Sequence, residues 1–232
     1  MSENHKLPIV GISCKVFEGM IDRFLPSELV DQITFLDYGL HRVPQKLSWA
    51  VQSQIDEIET PSLIVLGYGL CGNGLDGIKA RKHTLLIPRT DDCIAILLGS
   101  YSRYMKEFTS EPGTYYLTKG WLESGSDPLK EYKEVSEKYG PNEAEWIMDT
   151  QYQHYKRLAF IAHQEADLFE YRPSAKEVAA YCERWDMSYE EILGSDKYVR
   201  QLVEIALNLD KLDSEFLVVP PGGTLKQEAF LR

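Results

Sequence analysis

The chain has 232 residues, 44% of them hydrophobic, so it is long and apolar enough to fold around a core and is not intrinsically disordered. Its 36 acidic and 25 basic residues give a net charge of −11, which argues against nucleic acid or an anionic membrane surface as the main partner. Residues 1–6 lack the pattern of a secretory signal, and no apolar run approaches the roughly 20 residues of a membrane span. We therefore expect a cytoplasmic protein with no membrane partner.

The first half of the chain alternates short apolar runs with helical patterns. Such alternation is typical of a mainly parallel sheet that is covered by helices on both faces. Helices are predicted at residues 16–25, at 44–58 and at 93–108. Strands are predicted at residues 7–13, 33–36, 62–66, 84–87 and 114–118.

The second half has a different pattern. Residues 127–213 are polar and mostly helical, with a weak strand pattern at 166–169, and a last strand is predicted at 216–219. The predicted fold class is therefore α/β, with a mainly parallel Rossmann-like or flavodoxin-like sheet and a C-terminal helical layer. Residues 1–125 would form the α/β core, and residues 126–232 would form the helical layer and final strand of the same compact domain.

Three of the four cysteines follow predicted strands. Cys14 comes after the first strand, Cys71 lies in the loop after the third, and Cys93 begins the helix after the fourth. In a flavodoxin-like strand order of 2-1-3-4-5 these strands are neighbours, and open α/β sheets bind ligands at this carboxyl edge. Three thiols that converge there are expected to bind a metal ion or cluster, although a single buried cysteine is usually an apolar filler. We expect only that structural role for Cys182.

A glycine-rich loop surrounds one of these cysteines. Five of the eleven residues from Gly67 to Gly77 are glycine, which lets backbone N–H groups approach a ligand closely. The loop formally contains a dinucleotide-binding pattern, but too few residues follow it for the required helix. A cradle for an anion or a cluster, or a plain turn, fits better. The candidate cofactor-binding residues of this loop are Gly69, Gly72, Asn73 and Gly74.

Two polar residues at the same predicted edge are candidate catalytic residues. Asp92 directly precedes Cys93, and Lys119 follows the fifth strand in a loop that also contains Trp121. The plainer alternatives are a helix cap for Asp92 and an ordinary turn for the loop. The five histidines are scattered and form no paired metal-binding motif.

Four groups of short motifs stand out: Tyr68-Gly-Leu-Cys-Gly-Asn-Gly-Leu75, Ile87-Pro-Arg with Asp92-Cys93-Ile94, Leu97-Leu-Gly-Ser100, and Gly113-Thr-Tyr-Tyr-Leu-Thr118 with Gly120-Trp121. Together they resemble an uncharacterised domain-of-unknown-function family of anaerobic bacteria and methanogenic archaea. The resemblance covers most of the chain and is densest between residues 64 and 122. Members are often encoded beside corrinoid-dependent methyltransferases, which implies a role in one-carbon metabolism and a corrinoid protein or methyltransferase as partner.

Three functions remain open at this point. The first is a metal or iron–sulfur protein in which Cys14, Cys71 and Cys93 hold a [4Fe–4S] cluster or Zn²⁺ and leave one position for a small-molecule substrate. The second is a metal-free enzyme with Cys71 or Cys93 as nucleophile, assisted by Asp91 or Asp92. The third is a non-catalytic protein that delivers a cofactor to a methyltransferase through its acidic helical layer. We expect the first, with the cluster favoured over zinc.

Overall fold

A computed structural model describes residues 7–30 and 32–232, and the side chains of all of these except Val30 and His41. The chain forms two compact units. The first contains residues 1–96 and 196–232, and the second is the continuous segment Leu97–Ser195. The prediction of no secretory signal concerns residues 1–6, which lie outside the described residues.

Strands and helices alternate through much of the chain. The strands are β1 (Ile9–Cys14), β2 (Ile33–Leu36), β3 (Leu63–Gly67), β4 (Thr84–Pro88), β5 (Thr114–Thr118), β6 (Arg157–Ala162), β7 (Ser188–Leu193) and β8 (Phe216–Val219). The helices are α1 (Ser27–Val30), α2 (Pro44–Glu57), α3 (Cys93–Leu98), α4 (Tyr101–Ser110), α5 (Lys119–Ser124), α6 (Pro128–Tyr139), α7 (Pro141–Tyr152), α8 (Glu165–Cys182) and α9 (Lys197–Leu207).

The first unit is built on a five-stranded sheet in the order β2-β1-β3-β4-β8. Its first four strands are parallel, and β8 pairs antiparallel with β4. The sheet confirms the α/β fold class and the predicted neighbours 2-1-3-4. The fifth place belongs to β8 and not to β5, so the flavodoxin-like order that we assumed is correct for four strands only.

Two helices of this unit show why the sequence folds as it does. α2 begins with Pro44 at a position that needs no hydrogen bond from its nitrogen, and its residues Leu47, Val51 and Ile55 form one buried face. In α9 the apolar side chains are buried in the same way, among them Leu202. Burial of apolar faces, and not intrinsic helix propensity, supplies most of the stability of such helices.

The second unit contains a parallel sheet of its own, in the order β5-β6-β7. The central strand β6 is buried along its whole length. One face of the unit's core combines Leu117, Phe160, Val178 and Trp185 with several tyrosines. This sheet includes two strands within residues 127–213, where we predicted helices and a single weak strand.

Three local predictions are wrong. Residues 16–25 form only a short 3₁₀ helix, Lys15–Phe17, before the chain turns at Gly19 with φ +75°. The helix predicted at 93–108 is divided into α3 and α4, because Gly99 has φ +89° and Ser100 caps the second helix by accepting the Arg103 N–H. Residues 166–169, predicted as a weak strand, lie inside α8.

Over the described part of the chain, no helix combines the length and the apolar character needed to cross a membrane.

Candidate functional site

The three predicted cysteines lie at neighbouring strand ends of the first unit. Cys14 is the last residue of β1, Cys71 lies in the loop after β3, and Cys93 is the first residue of α3, just after β4. Ser13 is paired with Gly67 across β1 and β3, so Cys14 and Tyr68 both follow this matched pair. Cys14 and Cys93 are buried and Cys71 is half-buried, and all three are free thiols.

The loops after β3 and β4 are held together by backbone hydrogen bonds. Leu70 donates its N–H to the Thr90 carbonyl at 2.9 Å, and Cys71 donates to the Asp91 carbonyl at 2.8 Å. A methyl group on Gly69 would lie 2.8 Å from the carbonyl oxygens of Thr90 and Asp92, so only glycine allows this approach. The two loops therefore form a rigid pair that fixes the positions of Cys71 and Cys93.

The surrounding protein raises the pKa of all three thiols. Burial raises the pKa of Cys14 from 9.0 to about 11, with a smaller increase from Asp37. Burial is also the main cause of the raised pKa of Cys71, followed by the charges of Cys14 and Asp92. The pKa of Cys93 is raised by burial, then by Cys71, Asp92 and Cys14. Cys14 raises the pKa of Cys71 and of Cys93, and Cys71 raises that of Cys93, so the three lie within electrostatic range as a group.

Backbone N–H groups also point at the sulfur atoms. The Val16 amide donates a hydrogen bond to Cys14 and lowers its pKa, against the larger effect of burial. The amides of Gly69 and Cys93 do the same for Cys71. Hydrogen bonds of this kind stabilise a thiolate and tune the potential of a metal cluster bound by it.

Two buried hydroxyl groups lie in the loops after β3 and β4. The side-chain oxygens of Tyr68 and Thr90 have no hydrogen-bond partner among the residues that the structure describes. Tyr68 is 3% exposed and Thr90 is 1% exposed. The pKa of Tyr68 is raised by burial and then by Cys14 and Cys71, so the phenol keeps its proton and lies near two of the three thiols. Neither hydroxyl was predicted from the sequence, although Tyr68 directly follows a strand end within the glycine-rich loop.

The predicted cofactor-binding residues of the loop have different surroundings. Gly69 packs against the loop after β4, and Gly74 is buried with its Cα against Leu47 of α2. Gly72 and Asn73 are exposed, at φ +60° and +67°. Gly69 and Gly74 thus have a clear packing role, whereas binding of a cofactor by any of the four stays a prediction.

The two predicted catalytic residues lie in different units. Asp92 caps α3 by accepting the Ile94 N–H at 2.8 Å, and its charge reaches Cys71 and Cys93. Lys119 lies in the second unit, where its Nζ is 3.7 Å from Asp167 Oδ2.

A histidine in the second unit lies near the same carboxylate as Lys119. The Nδ1 atom of His163 is 3.3 Å from Asp167 Oδ2. We missed this histidine because β6, the strand that it follows, was not predicted.

Cys182 belongs to the core of the second unit, as expected for a structural cysteine. Burial raises its pKa to about 12, with a smaller effect of Asp127. It is therefore a matched control for the other three cysteines.

No group of three or more His, Cys, Asp or Glu side chains within the described ranges is arranged to hold a metal ion. The thiolates around one zinc ion lie about 3.8 Å apart, since each Zn–S bond is about 2.3 Å and the geometry is tetrahedral. The described residues therefore present no preformed metal site.

The chain was compared with known protein families, curated proteins and solved structures. A family model described as "Protein of unknown function (DUF1638)" matches residues 35–203. This segment includes Tyr68, Cys71, Thr90 and Cys93, whereas Cys14 precedes it. No curated protein and no solved structure matches the chain.

Proposed function

This chain belongs to the DUF1638 family, whose description names no reaction, and we propose from its own residues that it binds an iron–sulfur cluster and acts on a small molecule. Cys14, Cys71 and Cys93 would be the ligands of a [4Fe–4S] cluster. Three thiolates leave one iron free for a substrate, and this open iron would supply Lewis-acid or redox chemistry.

The observation that carries the proposal is the convergence of three free thiols from three neighbouring strand ends. The charged groups that raise their pKa values are carboxylates, Asp37 and Asp92, and the thiols themselves. Three thiolates in such surroundings need a compensating positive charge, and a metal centre supplies it. The backbone N–H groups directed at Cys14 and Cys71 are suited to the sulfur ligands of a cluster.

The raised pKa values of the thiols weigh against the cysteine-nucleophile alternative. A cysteine nucleophile needs a lowered pKa, because only the thiolate attacks, yet burial raises the pKa of all three thiols. A metal site does not share this difficulty, since the metal itself removes the thiol protons when it binds.

The protein's own residues would have separate tasks around the cluster. The paired loops hold Cys71 and Cys93 in place, and Asp92 fixes the start of α3. Cys14 and Cys93 are buried while Cys71 is half-buried, so solvent and substrate would reach the centre beside Cys71. Catalytic participation of Asp92 is part of the proposal.

We propose the metabolic setting from the family that the sequence motifs resemble. That resemblance indicates anaerobic one-carbon metabolism, with a corrinoid protein or a methyltransferase as partner. A non-catalytic role in cofactor delivery would use the same cluster site. Co-purification with such a partner in the absence of any turnover would favour delivery over catalysis.

The test is anaerobic purification of the full chain, with assays for iron, acid-labile sulfide and zinc and a visible absorption spectrum. We expect about four irons and four sulfides per chain, and a brown protein. Cys14→Ser, Cys71→Ser and Cys93→Ser should each lose most of the iron, whereas Cys182→Ser should keep it.

Three results would contradict the proposal. One zinc per chain without sulfide would replace the cluster with a zinc site. A metal-free protein, even after reconstitution with iron and sulfide, would remove the cluster site altogether. Equal loss of iron in Cys182→Ser would show that the three strand-end cysteines are not the specific ligands.

A further inference from the structure

The second unit has a cleft between three of its helices, α5, α6 and α8, with a volume of about 300 Å³. The apolar base of the cleft comes from Leu122, Leu129 and Val178. Val178 belongs to the core of the unit, and the other two side chains pack against that core. Small-molecule sites in proteins have volumes from about 300 Å³ upward, an apolar lining and a few polar groups. The cleft has the size and the base of such a site.

Local hydrogen bonds fix the walls of the cleft. The buried Asp127 accepts the backbone N–H groups of Leu129 at 3.1 Å and of Lys130 at 3.0 Å, and so holds the first turn of α6. On the opposite wall, the Tyr171 hydroxyl of α8 donates to the Glu123 carboxylate of α5. Because the cleft is formed in advance, a ligand that binds there has fewer groups to order.

The two sides of the cleft carry opposite charges. Lys130 and Lys133 are three residues apart on α6, so they share one face of that helix, and both line the cleft. Neither ammonium group has an ion-pair partner among the residues that the structure describes, and the same is true of Glu177 on the α8 side. Charged groups of this kind beside an apolar surface are suited to a ligand that supplies the opposite charges.

The other two carboxylates of the cleft are already engaged. Backbone N–H groups of α6 bind Asp127, and the Tyr171 hydroxyl binds Glu123. Two positive groups and one negative group therefore remain for a ligand. A purely anionic molecule would leave Glu177 unpaired, and a purely cationic one would be repelled by the lysines, whereas a zwitterion matches both sides.

We propose that the cleft binds a small zwitterion with an apolar side chain, namely an aliphatic α-amino acid. Its carboxylate would pair with Lys130 and Lys133, its ammonium group would pair with Glu177, and its side chain would lie on the apolar base of the cleft. The interaction involves binding only, and no bond is formed or broken. The cleft lies within one unit and needs no metal, so this binding site does not depend on the proposed cluster.

The test uses L-leucine and two analogues that each lack one of its charges. Isocaproate has no ammonium group, and isopentylamine has no carboxylate. Each is titrated into the full chain, and binding is measured by isothermal titration calorimetry. L-leucine should bind with a Kd below about 1 mM, and each analogue should bind at least about fivefold more weakly, because one charged side of the cleft then stays unpaired. The affinity for L-leucine should be the same in iron-loaded and iron-free protein.

Two substitutions assign the charges to residues. Glu177→Gln should remove the preference for L-leucine over isocaproate, and Lys133→Gln should reduce the preference over isopentylamine. Each should weaken L-leucine binding by about fivefold. Glu134→Gln and Lys138→Gln are the matched controls, because both residues lie on α6 outside the cleft, and these variants should bind L-leucine as the unchanged protein does. All four side chains are exposed, so all four variants should fold.

Several outcomes would contradict the proposed site. No binding of L-leucine up to about 10 mM, or equal affinity for both analogues, would overturn the proposed ligand class. Glu177→Gln and Lys133→Gln variants that bind L-leucine as tightly as the unchanged protein would overturn its assignment to this cleft, as would equal losses in the two controls. A protein purified without iron would contradict only the proposed function, because binding of L-leucine is measured without it.

Discussion

At the scale of single residues, an unpartnered buried hydroxyl lowers the stability of the protein that carries it. Leaving such a group without a hydrogen bond costs about 1–3 kcal/mol, because its interactions with water in the unfolded chain are lost. Tyr68 and Thr90 both carry this cost in the metal-free protein. A side chain retained only for packing would not carry this cost. A measurement of stability therefore tests whether the two hydroxyls lack a partner in the folded protein.

Tyr68→Phe should therefore stabilise the metal-free protein. The substitution removes the unpartnered hydroxyl and keeps the ring, so the free energy of unfolding should rise by about 1 kcal/mol. Tyr198→Phe removes a hydroxyl that donates to Glu215 and should lower it by about the same amount. Urea denaturation after removal of metal with a chelator measures both. Similar losses in the two variants would show that Tyr68 has a structural hydrogen bond.

The sequence was informative about the cysteines but not about these hydroxyls. Cys14, Cys71 and Cys93 could be assigned to one sheet edge because each follows an apolar run that is a strand in the structure. Parallel strands end at the same edge, so position along the chain predicted position in space. Whether Tyr68 or Thr90 has a partner depends on residues distant in sequence, and no local pattern reveals that.

At the scale of elements, the site depends on the close contact between the loops after β3 and β4. The contact uses two backbone hydrogen bonds and the missing side chain of Gly69. The opposing atoms are backbone carbonyl oxygens, which cannot move aside as a flexible side chain would. The geometry of Cys71 relative to Cys93 should therefore be sensitive to one added methyl group.

Gly69→Ala should separate the two loops. The new Cβ would lie 2.8 Å from the Thr90 and Asp92 carbonyl oxygens, and such overpacking costs about 1–3 kcal/mol. We expect a lower thermal midpoint and loss of most of the bound iron, measured on the anaerobically purified variant.

Gly77→Ala is the control in the same loop. A methyl group at Gly77 meets nothing within 4 Å, and only its φ of +83° is unfavourable. This variant should lose about 1 kcal/mol of stability and keep its iron. If Gly69→Ala kept its iron too, the close contact of the loops would not be what positions the cysteines.

The second sheet shows where element prediction failed. The apolar run of β6 lies in a long polar stretch, so we interpreted the whole stretch as helical. β7 is an edge strand without clear alternation, because it carries Glu190 and Glu191, which pair with Arg157 and Arg172. Its pairing with β6 and its ion pairs involve residues distant in sequence, so its own sequence does not indicate a strand.

At the scale of the whole molecule, the chain leaves one unit and later returns to it. The first unit is formed from both ends of the chain, and the second is the continuous segment between them. The ends of this segment meet, since Ser195 donates its N–H to the Leu97 carbonyl at 2.9 Å. Adjacent ends and an internal core are typical of a domain inserted into another.

Residues 97–195 should therefore fold when expressed alone. The segment has its own parallel sheet and a core around Phe160 and Trp185, so it buries apolar surface without the rest of the chain. We expect a cooperative thermal transition by circular dichroism, and no bound iron, because Cys182 is its only cysteine. Phe160→Ala in the same fragment should abolish the transition, since truncating a fully buried phenylalanine costs about 3–5 kcal/mol. An unfolded fragment would show that the second unit depends on the first, and iron bound to the folded fragment would move the metal site away from the three strand-end cysteines.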